Sequence, residues 1–282
     1  MLIEPYLFDA ISYGRYEANG HRRSTAHSDG FGSLTYINYG VADRFTVGLI
    51  PKFSFNEPAS RPGSSRVGMG DVSVQAQYRL TQFEEGSWIP TTSVNLSESF
   101  PTGKFDRLGE NTSDGFGNGA RTTTASVYSQ YFFWMPNGRI LRTRLNLSWS
   151  FSNHPDVEGI SVYGTEAGFR GRAEPGDGFV ANGAWEYSVT RNWVLAMDAT
   201  YEHSGNTRVS GSNLPLSGGP LPAPGTVDIE RNFGSSETFS LAPAVEYNFN
   251  GNVGVILGAK VTLSGRNSSA LVVPAVAVNI VR

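Results

Sequence analysis

Three side chains with hydrolytic chemistry stand together at His203-Ser-Gly-Asn206: a base, a hydroxyl and an amide. A serine attacks a carbonyl only when a base takes its proton, so oxygen and imidazole must meet at about 2.6–3.2 Å. His203 and Ser204 are adjacent, and adjacent side chains of a strand point to opposite faces. They can meet only where the strand has already ended. The other histidines, His21, His27 and His154, are scattered. Asp106, Glu110 and Asp114 cluster as the carboxylates of a surface protease would, but no histidine stands near them. The chain has no cysteine, which removes disulfides, thiolate metal sites and cysteine nucleophiles. No catalytic set, metal site or organic cofactor emerges.

A second kind of chemistry is spread along the chain at every other position. Arg139-Ile-Leu-Arg-Thr-Arg-Leu-Asn-Leu-Ser-Trp-Ser-Phe151 puts Leu141, Leu145, Leu147, Trp149 and Phe151 on one face and Arg142, Arg144, Asn146, Ser148 and Ser150 on the other. Such a strand has one apolar and one polar side, and what each side meets decides the function.

The elements that position these residues are strands almost throughout. Alternation recurs over 3–16, 24–40, 44–56, 67–80, 88–100, 120–133, 139–152, 178–190, 192–203, 235–249, 252–263 and 269–281, twelve in all. The first is the weakest pattern, and its segment reads equally as an N-terminal plug. Connections alternate between short turns and long loops, except for a short hairpin near Gly265–Ser268 on the long side. Aromatics gather at both strand ends, such as Tyr78, Trp185 and Trp193 at the short-turn end and Phe53, Trp149, Phe179 and Tyr201 at the long-loop end. Leu, Val and Ala lie between. Two aromatic girdles around an aliphatic belt are what a lipid-facing surface needs. The expected fold is all-β: a twelve-stranded antiparallel transmembrane barrel with short periplasmic turns and long extracellular loops, one domain over residues 1–282.

Composition agrees. Of 282 residues, 39% are hydrophobic and only 17% charged, while glycine reaches 33. That suits a wall apolar outside and polar inside. No apolar run reaches the ~18 residues of a membrane helix. The net charge of −3 gives no basic footprint for nucleic acid. Met1 runs directly into LIEPYLFDA, so an exported chain is expected here in mature form. Pro51, Pro243 and Pro274 fall inside strands, where each implies a bulge or a lost ladder bond.

Several stretches resemble the outer-membrane channel family named for the meta-pathway of phenol degradation. They are Gly68-Met-Gly-Asp71 opening a strand, Phe100-Pro-Thr-Gly103 followed by Phe105-Asp106, and Ser264-Gly-Arg-Asn267 leading into Pro274-Ala-Val-Ala-Val278. The resemblance implies a twelve-stranded barrel with a role in uptake of small hydrophobic or aromatic molecules; the family's name comes from association with catabolic pathways and does not imply that the protein degrades phenol. Expected partners are outer-membrane lipid, lipopolysaccharide and a small solute, with the protein a monomer. The alternatives are a non-conducting adhesive barrel, its loop Ser204–Gly234 long and rich in Gly and Pro, and a barrel phospholipase. Such a phospholipase has its His and Ser two positions apart, unlike His203 and Ser204.

On this reading the lumen is lined by Arg44, Lys52, Asp71, Gln75, Gln77, Arg79, Glu98, Arg142, Arg144, Asn146, Glu186, Asp198, Glu202, Glu246 and Lys260. The acidic and basic members balance, so bracing pairs are expected, above all Arg142 with Glu186. Arg44, Arg79 and Arg142 fall near the short-turn end and make that mouth basic. Asp71, at a strand start, is expected to hold backbone N–H groups of a turn. Phe105, Phe116, Phe179 and Phe233 are candidate entry-site aromatics for a hydrophobic solute, against plain packing among loops.

Overall fold

The computed structural model describes residues 1–213 and 227–282. Twelve staves form a closed antiparallel wall: β1 (Leu2–Asp9, resuming as Ile11–Tyr16), β2 (Arg22–Ala42), β3 (Phe45–Ile50 and Lys52–Glu57), β4 (Val72–Thr81), β5 (Thr91–Phe100), β6 (Thr122–Trp134), β7 (Ile140–Ser152), β8 (Gly178–Ser188), β9 (Trp193–Ser204), β10 (Ser236–Asn248), β11 (Val253–Arg266) and β12 (Ser268–Val281). Gly68–Met69 adds a short strand beside β3. Each stave pairs with the next, and β1 closes the ring by pairing both β12 (Leu2 opposite Val281) and β2 (Leu2 opposite Asn38). The N-terminal segment is wall, not plug.

Alternation makes these strands, and closure gives both faces an environment. Apolar positions on the outer face are uncovered: Leu145 is 50% exposed, Leu257 54% and Phe151 53%. Small polar residues on the inner face are covered, Ser240 at 1%, Thr262 at 4% and Ser126 at 5%. This inverts a water-soluble fold. A leucine left in water forgoes roughly 1.5–3 kcal/mol of burial, so the belt requires hydrocarbon around it. Aromatic side chains meet at both edges of the belt: Trp193 with Tyr247 at 4.8 Å near the short turns, and Trp149 with Phe179 at 5.2 Å near the long loops.

Prolines cost ladder bonds without shifting register. Leu49 faces Ile37 and Lys52 faces Leu34 on either side of Pro51, which divides β3. Around Pro243 the β10–β11 pairing passes from Leu241–Val261 to Ala244–Gly258 in unchanged register. Pro274 still faces Ala259 of β11. On its other side β1 is interrupted at Ala10, whose N–H turns to Gly30 O at 3.0 Å. The register shifts lie elsewhere, as at Phe239/Ser240 and Ala270/Leu271. The β11–β12 hairpin turns through Asn267 at φ 47°, a left-handed conformation that asparagine tolerates better than most residues.

The long loops carry structure that alternation did not reveal. Asp156–Glu158, Phe169–Glu174, Arg208–Asn213 and Val227–Asn232 form a separate four-stranded antiparallel sheet. Val157, Phe169, Ala173 and Val209 make its buried core, with Phe105, Tyr163 and Ile229 packed against it. Gly171 and Gly211 face each other across the sheet, and a methyl on either would strike the Phe169 ring and the opposite backbone. The Pro-rich segment 217–225 of the loop expected to be adhesive lies outside the described residues.

Candidate solute pathway in the lumen

Register sorts the expected lumen residues by face. In β7, Arg142, Arg144 and Asn146 lie opposite Glu186, Ala184 and Asn182 of β8, on the face away from Leu145 and Trp149. Gln75, Gln77 and Arg79 of β4 share that inner face, as do Asp198 and Glu202 of β9, Glu246 of β10 and Lys260 of β11. Lys52 lies there too, its Nζ 3.3 Å from Ser73 Oγ. Arg44 stands in the β2–β3 turn, at the mouth.

Glu98 does not line the lumen. It faces Val74 of β4 and Thr123 of β6, in the same row as the exposed Leu96 and Phe100. There its carboxylate pairs with Arg121 and accepts from Thr123 at 2.7 Å, while the Arg121 guanidinium lies 5.6 Å from the Phe100 ring. A carboxylate is tolerated on the outer face because it stands at the loop end of the belt and carries its own counter-charge.

Asp71 serves a loop. Its carboxylate accepts from Gly103 N at 3.0 Å and Asn118 N at 2.9 Å, pinning both ends of the β5–β6 loop. Tyr163 donates to Asn118 O nearby, and burial together with the Asp71 charge pushes its phenol up to about 12.

Of the four entry-site aromatics, Phe179 belongs to the outer girdle, between Trp149 and Tyr201. Phe105 is packed into the loop sheet and against Gly119, where a Cβ would come within 2.4 Å of its ring. Phe116 lies flat on Gly68, where a Cβ would meet its ring at 2.0 Å. Phe233 is half exposed, at 50%. They do not form one site: Phe179 faces outward from β8, Phe105 and Phe116 pack within the loops, and Phe233 stands half exposed.

The inner face is braced. Glu186 forms an ion pair with Arg142 through one carboxylate oxygen and with Arg144 through the other, the latter at 2.6 Å. Lys260 Nζ pairs with Glu202 at 2.6 Å, and Thr238 donates to the same carboxylate at 3.0 Å. Hydroxyls pair across β6 and β7 at three successive levels: Thr122–Ser152, Thr124–Ser150 and Ser126–Ser148, all within 2.8–2.9 Å. Gln75 bonds Asn38 at 2.8 Å over Gly48, whose missing side chain leaves the passage.

Two inward groups escaped the sequence reading. Glu4 of β1 accepts from Tyr6, whose ring meets Tyr36 of β2 edge-on at 6.1 Å. Their even spacing in Glu4-Pro-Tyr6 was the available signal, obscured because the segment also read as a plug. Between bracing groups, at the short-turn half of β3–β7, lies a cavity of about 410 Å³ whose lining includes Arg44, Arg79, Arg144, Tyr128 and Asn146.

The hydrolytic residues stay apart. His203 and Ser204 end β9 on opposite faces, with His203 3.6 Å from Glu237 on β10. Asn206 is engaged with Asn232 and with Gly234 N.

This wall has known counterparts. The family model described as "Putative MetA-pathway of phenol degradation" matches residues 13–271. The chain belongs to this family. Among solved structures, a COG4313 outer membrane channel from Pseudomonas putida F1 superposes with a TM-score of 0.70 at 13% identity, covering 100% of this chain and 94% of that one. A NanC porin gives 0.50 at 9% identity over 99% of this chain and 100% of the porin. No curated protein sequence matches. The protein is a twelve-stranded β-barrel of the outer-membrane class, and the family is linked to aromatic compounds through its description.

Proposed function

We propose that this protein is a passive outer-membrane channel for small molecules, with hydrophobic or aromatic compounds as its solutes. The observation carrying the channel reading is a polar-walled cavity of about 410 Å³ inside a wall whose outer face is apolar. A scaffold barrel gains nothing from such space, since an unfilled interior forfeits packing contacts. The family's description supports the aromatic part of the reading. The separation of His203 and Ser204 onto opposite faces favours transport over lipid hydrolysis.

The test is purified, folded protein in planar bilayers and in liposomes. Stepwise conductance, with swelling of liposomes in small neutral solutes, is the expected result. Folded protein giving neither current nor swelling overturns the channel reading. Phospholipid hydrolysis that Ser204→Ala abolishes would establish the enzyme instead.

A further inference from the structure

We infer that the lumen carries a transverse charge separation whose basic side holds small organic carboxylates, an inference that rests on the channel reading above. In a ring of twelve, staves six apart face each other. Arg142 and Arg144 of β7 therefore face β1, which presents Glu4. Arg79 of β4 faces β10, which presents Glu246. The β2–β3 turn with Arg44 stands at the base of β3, which faces β9 and Asp198. Lys260 on the acidic side is offset by Glu202, and Glu186 on the basic side offsets one arginine, so net positive charge remains on one side of the lumen and net negative charge on the other.

The basic side is not neutralised by its own bracing. Arg142 and Arg144 share the single carboxylate of Glu186, and the Nε of each is buried without a partner. Arg79 donates to a neutral acceptor, the Asp43 backbone carbonyl, at 2.6 Å. No carboxylate lies within ion-pair distance of Arg44 or Arg79 among the described residues. Four guanidiniums are thus set against two local carboxylates, Glu186 and Asp43. The cavity of about 410 Å³ lies directly against this excess.

A guanidinium presents paired N–H donors matched to a carboxylate, and a ring of like charge in a pore selects the opposite ion. Apart from the carboxylate of Asp43, which three lining arginines outnumber, the rest of the lining is hydroxyl and amide, with Tyr128 the aromatic among them. Such a wall recognises a small carboxylate that also carries hydroxyl groups. Those hydroxyls can donate across the lumen to Glu4 or Glu246.

The experiment records current through the whole protein in planar bilayers. A potassium chloride gradient is expected to give a reversal potential on the anion side. Added 4-hydroxybenzoate is expected to interrupt the current, whereas 4-hydroxybenzyl alcohol and 4-hydroxybenzylamine, of the same shape, are not. Arg44→Gln with Arg79→Gln should move the reversal potential toward zero and shorten the interruptions several-fold. Glu246→Gln should strengthen anion preference, and Glu98→Gln, on the outer face, should leave it unchanged. Anion preference and interruptions that persist in the double variant overturn the site. So does a wild-type pore that conducts without preferring anions, and this leaves the channel reading intact. A folded wild type without current overturns both.

Discussion

Replacing Glu186 with glutamine tests the central brace with almost no change of shape. In the wild-type wall each carboxylate oxygen takes one guanidinium, Arg142 on one side and Arg144 on the other. Glutamine keeps one oxygen. Its other terminal atom becomes an NH2 aimed at a donor, so one ion pair is lost and the second loses its ionic character. Hydrogen bonds to charged groups contribute about 1.5–3 kcal/mol. Glu186 is only 12% exposed, but the arginines are 35% and 34% exposed and recover some hydration from the lumen. The expected loss is therefore about 2–3 kcal/mol, below the roughly 3–5 kcal/mol of a fully desolvated pair. Urea unfolding in lipid vesicles, followed by tryptophan fluorescence, measures it. A double-mutant cycle of Glu186→Gln with Arg144→Gln isolates the pairwise part. A loss under about 0.5 kcal/mol, typical of a neutral surface change, would refute the bracing argument, as would a coupling energy near zero.

Asn267→Val forces a β-branched residue into the left-handed turn at φ 47°. The expected cost is about 1–2 kcal/mol, and Asn267→Gly, which suits that conformation, should cost clearly less in the same assay. Glu158 sits on the loop sheet beside Arg107 and Arg170, whose hydrogen bonds and charges hold its carboxyl below the ordinary glutamate range. Its folded value is lowered, so its contribution is complete above the ordinary value near pH ~4.3 and disappears as pH falls through the lower folded value. Amide protection factors over Asp156–Glu174, corrected for the intrinsic rate at each pH, should therefore fall in acid below that range, and Glu158→Gln should abolish this fall. Acid loosening that survives the substitution would assign it to other groups.

The wall was legible because its code is simple. Period-two alternation located all twelve staves, and the segments at β3, β6 and β7 begin and end within about two residues of the observed strands. The Arg142–Glu186 pair could be foreseen because opposite charges at matching heights on neighbouring staves have few other places to go. Glu98 was misplaced for an instructive reason. Charge suggested the lumen, but its own row, Val94, Leu96 and Phe100, already put it outside. Parity outranked polarity, since a strand cannot rotate one residue independently. The loop sheet escaped because Asp156–Glu158 is three residues long and Phe169–Glu174 is interrupted by Gly171, too short for periodicity to register. The phenylalanines failed as a group because Phe179 follows the outward parity of β8, while the packing of the other three depends on how loops fold together, which no local pattern encodes.

The seam between β1 and β12 has a kinetic consequence. The contacts that complete the ring join Leu2 to Val281 and Phe8 to Ala275, almost the full length of the chain apart. Closing a loop of that size demands chain entropy before any bond rewards it. Until it closes, β1 and β12 each keep an unpaired edge, and an unsatisfied edge in hydrocarbon costs several kcal/mol per group. An open wall of ten or eleven staves therefore has no stable resting form in the bilayer. Assembly must wait for both ends to meet, and loss of either end stave should abolish insertion rather than yield a smaller pore.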